Sequence, residues 1–202
     1  MFITVKDKQS WYVALSNREA CISMNPEDML LEDNLTMCKI RGHKGWYMVW
    51  ARMNPAGDYL RYTKDLFAEE INHQSLLRYT LPKMKELLND RELVKDKYWY
   101  NELLIVSKDK AFFVDGYFCL HEVSEFDCAH ARSDIVRGCL DFCVGLPAKA
   151  RIREGVQALE ELRGKSQFPL VVLDTATGKK EVWYSYEDAI KKTKGKGGKK
   201  NG

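Results

Sequence analysis

The sequence has 202 residues, a length that suits one domain with a sizeable buried core. Its hydrophobic fraction of 45% and aromatic fraction of 11% are typical of globular proteins. No apolar run approaches the ~20 residues that a membrane helix needs, and the first residues lack the long apolar core of a signal peptide. The composition therefore favours a soluble, cytoplasmic protein that makes no use of a membrane.

The formal net charge of +3 is unevenly distributed along the chain. The segment from Lys191 to Lys200 is rich in lysine and has no acidic residue, so the rest of the chain is slightly acidic. Lys, Gly and Asn dominate from residue 193, which predicts a single domain over residues 1–192 and a disordered tail over 193–202. Such a tail could contact polyanions weakly and without sequence preference, or serve only solubility.

Short apolar runs flank polar turns at four places, and this pattern predicts four β-hairpins. The predicted strand pairs are 2–6 with 11–15, 35–40 with 46–50, 103–106 with 111–114, and 168–173 with 181–184. One more short strand is predicted at 20–24.

Helical periodicity lies between these hairpins. An irregular stripe runs from Asp58 to Tyr79, Leu81-Pro82 interrupts it, and a short helix follows. Two further helices are predicted on either side of Pro147, the first from about Cys128, and one or two helical turns at 186–192. The order of elements predicts antiparallel sheets enclosed by two outer helical layers, an α/β sandwich.

Six cysteines occur, and none is part of a CxxC pair. Cys119 and Cys128 are each two residues before a histidine, which suggests a zinc hypothesis, but these spacings match no structural zinc pattern. We interpret most of the cysteines as small buried residues in a reducing compartment. No metal and no cofactor is predicted.

Two polar clusters have alternative interpretations. The first could be an acid–base or metal cluster, but we interpret it as a loop before a helix, with Asp127 as the N-cap. It comprises His121, Glu122, Glu125, Asp127 and His130. The second combines basic and aromatic residues, as proteins that bind single-stranded nucleic acids do, but in a β-strand only half of these side chains would face a ligand. It comprises Arg41, His43, Lys44, Trp46, Tyr47 and Trp50.

Three local features accompany this order of elements. The N-terminal hairpin ends in Ala14-Leu15-Ser16-Asn17, Lys39-Ile40 falls in the third strand region, and a hairpin at 103–114 precedes a loop and a helix. In these respects the chain resembles a proteasome β-type subunit, in particular the bacterial two-ring protease subunit that works with an unfolding ATPase. The resemblance implies a four-layer αββα sandwich of the N-terminal-nucleophile hydrolases, and a homo-oligomer that is assembled through its helical layers into rings.

The family's chemistry requires a threonine, serine or cysteine as the first residue of the mature chain, whose α-amino group serves as the base for its own side chain. A lysine and an aspartate support this residue, and the backbone N–H groups of a Gly-Ser-Gly turn form an oxyanion hole. The resemblance places the nucleophile on Met1, the aspartate on Asn17 and the lysine on Lys39. The glycine turn falls near 127–129, and Asp174-x-x-Thr177-Gly178 resembles a supporting Asp-x-x-Ser-Gly element.

Since Met1 has no hydroxyl and Asn17 no charge, the resemblance favours a catalytically degenerate protein that acts through self-assembly or through a protein or peptide partner. The alternative is a threonine peptidase in which removal of residues 1–3 makes Thr4 the nucleophile. A third hypothesis is an unrelated α+β binding module with the same order of elements.

Overall fold

The computed structural model describes residues 1–8, 10–16, 37–51, 55–129 and 132–193. The predicted strand at 20–24, Asn17, His130 and the tail beyond Thr193 lie outside these ranges. Within them, ten strands form two antiparallel sheets of five strands each. The strands are β1 (Phe2–Asp7), β2 (Ser10–Ser16), β3 (Met37–Lys39), β4 (Tyr47–Trp50), β5 (Leu103–Val106), β6 (Ala111–Val114), β7 (Leu120–Glu122), β8 (Phe126–Ala129), β9 (Leu170–Asp174) and β10 (Lys179–Trp183).

Sheet A has the strand order β10-β9-β2-β1-β8, and sheet B has the order β3-β4-β5-β6-β7. Strand β1 lies inside sheet A, between β2 and the edge strand β8, where Phe2 pairs with Leu15 of β2 and with Ala129 of β8. In sheet B, β4 connects β3 to β5, with Trp50 opposite Leu103. These pairings confirm the four predicted hairpins.

The helices cover the outer faces of the sheets. Sheet B carries α1 (Pro55–Tyr62), α2 (His73–Ser75), a π-helical turn (Leu76–Thr80) and α3 (Leu81–Asn89), and sheet A carries α4 (Ser133–Phe142), α5 (Ala148–Arg163) and α6 (Tyr186–Thr193). The chain is therefore a four-layer αββα sandwich, as predicted. No helix in the described ranges is long and apolar enough to cross a membrane.

Both faces of the central strands are buried, which explains why the sequence of β1 is a nearly continuous apolar run. Phe2 points into the core between the two sheets, whereas Met1, Ile3 and Val5 point into the core between sheet A and its helices. A third core lies between sheet B and its helices. Because successive side chains of β1 point to opposite faces of sheet A, this one strand contributes residues to two cores.

Three details of the sequence-based prediction are wrong. The stripe from Asp58 to Tyr79 is not one helix, because α1 ends at Tyr62 and the next helix begins at His73. Leu81-Pro82 does not interrupt the stretch before it, because α2, the π-helical turn and α3 follow one another without a gap from His73 to Asn89. Pro82 lies in the first turn of α3, and the wider π-helical turn before it accommodates the missing N–H of proline. The polar stretch after residue 119 contains the short strands β7 and β8, and Asp127 lies in β8 rather than at an N-cap, since α4 begins only at Ser133.

Candidate functional site

The start of β1 is the place where the family resemblance locates a nucleophile. The α-amino group of Met1 donates a hydrogen bond to the carbonyl oxygen of Ala51 at 3.0 Å, just beyond the end of β4. The Met1 carbonyl accepts from the backbone N–H of Ser16 at 3.0 Å. The Met1 side chain is buried against the helices of sheet A. This end of the sandwich thus joins the two sheets through the backbone of the first residue.

Ser16, at the end of β2, places a hydroxyl beside this backbone junction. The hydroxyl is buried and donates to the carbonyl of Gln167 at 2.8 Å. Ser16 also pairs with Leu170 of β9. Its observed partners are therefore structural ones, which tie β2 to the segment that leads into β9. Sequence analysis did not single out this hydroxyl, although Ser16 belongs to the resemblance.

Thr4 lies in the middle of β1, paired with Val13 on one side and Asp127 on the other. It is fully buried, and its position two residues after Phe2 directs it to the core between the sheets. Among the described residues its hydroxyl has no hydrogen-bond partner. A buried hydroxyl without a partner is uncommon in folded proteins and usually has a specific reason.

Lys39 is the last residue of β3 and is exposed. It pairs with Tyr47 at the start of β4, whereas the Ala51 carbonyl that Met1 contacts lies just after the other end of β4. Four residues of extended chain correspond to roughly 13 Å. The structure therefore places Lys39 and Met1 at opposite ends of β4.

Asp174 ends β9 and begins the turn to β10. Its carboxylate accepts from the Ala176 N–H at 2.9 Å and from the Thr177 hydroxyl at 3.1 Å. Gly178 completes the turn in the left-handed region, with φ of 71° and its N–H donating to the Asp174 carbonyl at 2.8 Å. The Asp-x-x-Thr-Gly element thus forms a hairpin turn at the end of sheet A opposite Met1, since Asp174 pairs with Tyr12 of β2.

The segment that the resemblance assigns to an oxyanion turn, residues 127–129, is strand β8. The Asp127 carboxylate is buried and accepts from Arg137 of α4 at 2.6 Å and from the Cys128 N–H at 2.7 Å. His121 of β7 lies 2.6 Å from the other carboxylate oxygen. This cluster joins the edge strands of both sheets to α4, and sequence analysis missed Arg137 because only the fold brings it to Asp127.

Cys128 is not available as a nucleophile in this arrangement. It is buried, and its thiol lies 3.5 Å from the Ser133 carbonyl. Burial raises its pKa to about 12, although the nearby Arg137 acts in the opposite direction. A thiol with so high a pKa remains protonated at neutral pH, and only the thiolate is strongly nucleophilic.

The candidate residues are therefore spread over the sandwich: Thr4 is in the middle of strand β1 of sheet A, Lys39 at the edge strand of sheet B and Asp174 in a distant turn. Asn17 lies outside the described residues. In the part of the chain that the structure describes, no group of three His, Cys, Asp or Glu side chains is arranged to hold a metal ion.

The arrangement of two antiparallel sheets between helical layers is that of the proteasome-like N-terminal-nucleophile hydrolases. A structure of Thiobacillus denitrificans BPH aligns with a TM-score of 0.61 at 16% identity, covering 86% of this chain and 96% of that chain. BPH in complex with epoxomicin aligns equally well. Anbu, an ancestral β-subunit from Yersinia bercovieri, aligns with a TM-score of 0.58 at 12% identity, covering 97% of this chain and 92% of that chain.

At these identities the similarity establishes the fold alone. No protein-family model matches the chain, and no curated protein matches it.

Proposed function

We propose that this chain is a catalytically degenerate protein with a proteasome-like fold, and that it acts through self-assembly or through binding a protein or peptide partner. The observation that carries the proposal is the position of Thr4. Its hydroxyl lies in the middle of β1, an interior strand of sheet A, fully buried, with three residues before it. A peptidase nucleophile has to reach a substrate, and this hydroxyl does not.

Removal of residues 1–3 would be costly for the fold. Met1, Phe2 and Ile3 are all buried, and Phe2 and Ile3 pair with strands on both sides. Full burial of a large apolar side chain contributes about 1.5–3 kcal/mol. Loss of three such side chains is comparable to much of the 5–15 kcal/mol that stabilises an average domain. Trimming to Thr4 would therefore unravel the start of β1.

The supporting groups do not favour catalysis at Thr4 either. Lys39 is exposed at the edge strand of sheet B, and the Asp174 carboxylate is engaged in its own turn. Neither has a contact with Thr4, whose hydroxyl has no hydrogen-bond partner among the described residues. The same lack of a partner is the observation that keeps the alternative, a threonine peptidase, as a second candidate.

An exposed apolar patch on one outer helical layer supports the assembly part of the proposal. Phe142 is 91% exposed, Val144 59% and Leu146 43%, and all three lie within five residues at the connection of α4 to α5. Single exposed apolar residues are common, but three within five residues concentrate apolar surface at one connection, as interaction surfaces do. We name these three residues the α4–α5 patch.

The experiment on catalysis combines intact mass with peptide hydrolysis. We expect a denatured mass that includes residues 1–3, and no hydrolysis of a panel of fluorogenic peptides. Thr4→Val removes the hydroxyl and keeps the shape, so it should leave the fold intact and change no rate. A chain that begins at Thr4, together with hydrolysis that Thr4→Val abolishes, would establish the peptidase instead.

The experiment on assembly is native mass spectrometry of the full chain. We expect an oligomer that Phe142→Ser dissociates, because the substitution removes the most exposed apolar side chain of the patch. Tyr62→Ser is the matched control, since Tyr62 is 61% exposed on the helical layer of the other sheet. A monomer at all concentrations, with no partner retained, would contradict this part of the proposal.

A further inference from the structure

The helical layer over sheet B leaves a cavity of about 550 Å³ at the end of the sandwich opposite Met1. It lies between the β3–β4 turn and the segment that follows α1. Its lining includes Ile40 and Met48 on the sheet side and Leu60 and Leu66 on the helix side, all of which are buried apolar residues. A volume of this size is within the range of small-molecule sites.

The cavity is formed by structure that is already fixed. The loop after α1 is held by the Tyr79 hydroxyl and the Lys83 ammonium group, which both donate to the Asp65 carbonyl. The Thr63 hydroxyl donates to the Tyr59 carbonyl at 3.0 Å. A site that is preformed does not have to order its own lining when a ligand binds.

The β3–β4 turn forms the opposite wall and is equally constrained. The His43 N–H donates to the Ile40 carbonyl and the Trp46 N–H donates to the His43 carbonyl, so two tight turns follow one another. Gly42 and Gly45 each have φ of 80°, which glycine adopts without strain. The His43 ring contacts the Phe67 ring edge-on at 6.1 Å, which joins the turn to the loop beside the cavity.

The charged side chains around the cavity give a small excess of positive charge, which favours an anion. Three permanent cations, Arg41, Arg61 and Lys64, line it together with two carboxylates, Asp65 and Glu69. Within the described ranges, the side chains of Arg41 and Lys64 make no ion pair or hydrogen bond, so both are available to a ligand. In the adjoining shallower groove, which shares His43 and Glu69, the lysines Lys44, Lys108 and Lys110 lie beside the further carboxylates of Glu70 and Asp109.

The aromatic residues of this region do not make it a nucleic-acid platform. Tyr47 and Trp50 are buried, and Trp46 is half-buried and stacks on Phe112 with ring centroids 6.2 Å apart. The basic side chains that accompany them in the sequence, Arg41, His43 and Lys44, therefore have no exposed aromatic surface beside them on which a nucleobase could stack. What remains at this end of the sheet is a cavity with an apolar floor and a rim on which cations outnumber carboxylates by one.

From the cavity and its charges, we propose that this chain binds a small amphipathic anion there, with an aromatic or aliphatic body on the apolar floor and a carboxylate or phosphate between Arg41 and Lys64. The site is separate from the start of β1. Ile40 and Met48 belong to the core between sheet B and its helices, whereas Met1 belongs to the core on the outer side of sheet A.

The test uses three probes with one aromatic body and different charges: 1-naphthaleneacetate, 2-(1-naphthyl)ethanol and 1-naphthylmethylammonium. Calorimetric titration of the full chain should give the tightest binding for the carboxylate. Backbone amide shifts should change most at residues 40–48 and 60–67. Naphthyl phosphate, in a parallel titration, distinguishes a phosphate preference from a carboxylate preference.

Two variants locate the charge contact. Arg41→Met and Lys64→Met keep the aliphatic stem of an exposed side chain, and each should weaken carboxylate binding roughly three- to tenfold while leaving the alcohol unaffected. Lys165→Met, at an exposed position after α5, is the matched control. No binding by any probe, equal affinity for all three charges, or equal behaviour of Lys64→Met and Lys165→Met would overturn the proposal.

Discussion

The two outer helical layers cover equivalent sheets but pack in different ways. Over sheet A, α5 runs for 16 residues without interruption and lies closely against α4. Over sheet B, α1 has only eight residues, and the chain is not helical again until His73. The first layer packs tightly over the middle of its sheet and leaves an open groove only beside the α4–α5 connection, whereas the second leaves a cavity between its sheet and the segment after α1. A long amphipathic helix thus completes a core, and an interrupted one leaves room for a ligand.

A glycine makes the close approach over sheet A possible. A Cβ atom at Gly155 of α5 would lie 3.3 Å from a Val136 methyl group and 3.4 Å from a Leu140 methyl group, both on α4. Larger side chains at this position therefore have to displace α4 or distort α5. The interface between these helices depends on the absence of a side chain.

The largest effect is expected for Gly155→Leu. Insertion of a side chain into this contact should lower the free energy of unfolding by about 3 kcal/mol, because overpacking forces helix displacement. Urea denaturation followed by circular dichroism measures the change. An unchanged midpoint would show that the two helices are less closely packed than the structure indicates.

A second, smaller effect concerns the buried thiol beneath the same layer. Cys128 has a pKa of about 12 in the fold, above its ordinary value of 9.0, because burial disfavours the thiolate. Below pH 9 the thiol is protonated in both the folded and the unfolded chain. Between pH 9 and 12 the Cys128 thiol ionises only in the unfolded chain, so its contribution to the free energy of unfolding is lost as pH rises.

The measurement compares the native chain with Cys128→Ala at pH 8 and pH 10. The substitution leaves a small cavity at both pH values. The informative quantity is therefore how the difference in unfolding free energy between the two chains changes from pH 8 to pH 10. We expect the native chain to lose about 1 kcal/mol more than the variant over this interval. Parallel pH profiles for the two chains would mean that the thiol is accessible to solvent.

The layer over sheet A was also the more predictable of the two from sequence. Apolar residues at helical spacing, such as Ile152, Val156 and Leu159, predicted α5 because all of them are buried on one side. Over sheet B the same kind of pattern from Asp58 to Tyr79 was misleading, because Leu66 and Ile71 belong to a loop whose apolar side chains are buried. Apolar residues at helical spacing indicate which side chains are buried, and a loop that packs on a sheet can show the same spacing.

Strands β7 and β8 were missed for a different reason. They have only three and four residues, and β8 contains a buried aspartate that a local pattern assigns to a loop or a cap. Asp127 is tolerated in a strand because Arg137, ten residues later, and His121 on the neighbouring sheet both reach it. Such contacts depend on the tertiary fold, which no window of sequence contains.

The candidate site was predictable only in part. The hairpin that positions Met1 and Ser16 follows from two apolar runs on either side of a polar turn, and the structure confirms it. The Asp174 element matched a family pattern, but its geometry is that of an ordinary turn with two side-chain hydrogen bonds. Short Asp-x-x-Thr-Gly patterns form turns by local chemistry, so they carry little information about a distant site.

The smallest expected effect comes from placing the same substitution, glycine to alanine, in each of the two helical layers. A Cβ atom at Gly57 of α1 would lie 3.4–3.6 Å from the Trp50 ring, which is ordinary contact distance. Gly57→Ala should therefore stabilise the chain by about 0.5–1 kcal/mol, since alanine loses less backbone entropy in a helix. Gly155→Ala has the same entropic gain but meets α4 at 3.3 Å, so it should give little or no stabilisation. Thermal unfolding of the two variants in one buffer measures the difference, and equal gains at the two positions would mean that the layers are equally tolerant of an added methyl group.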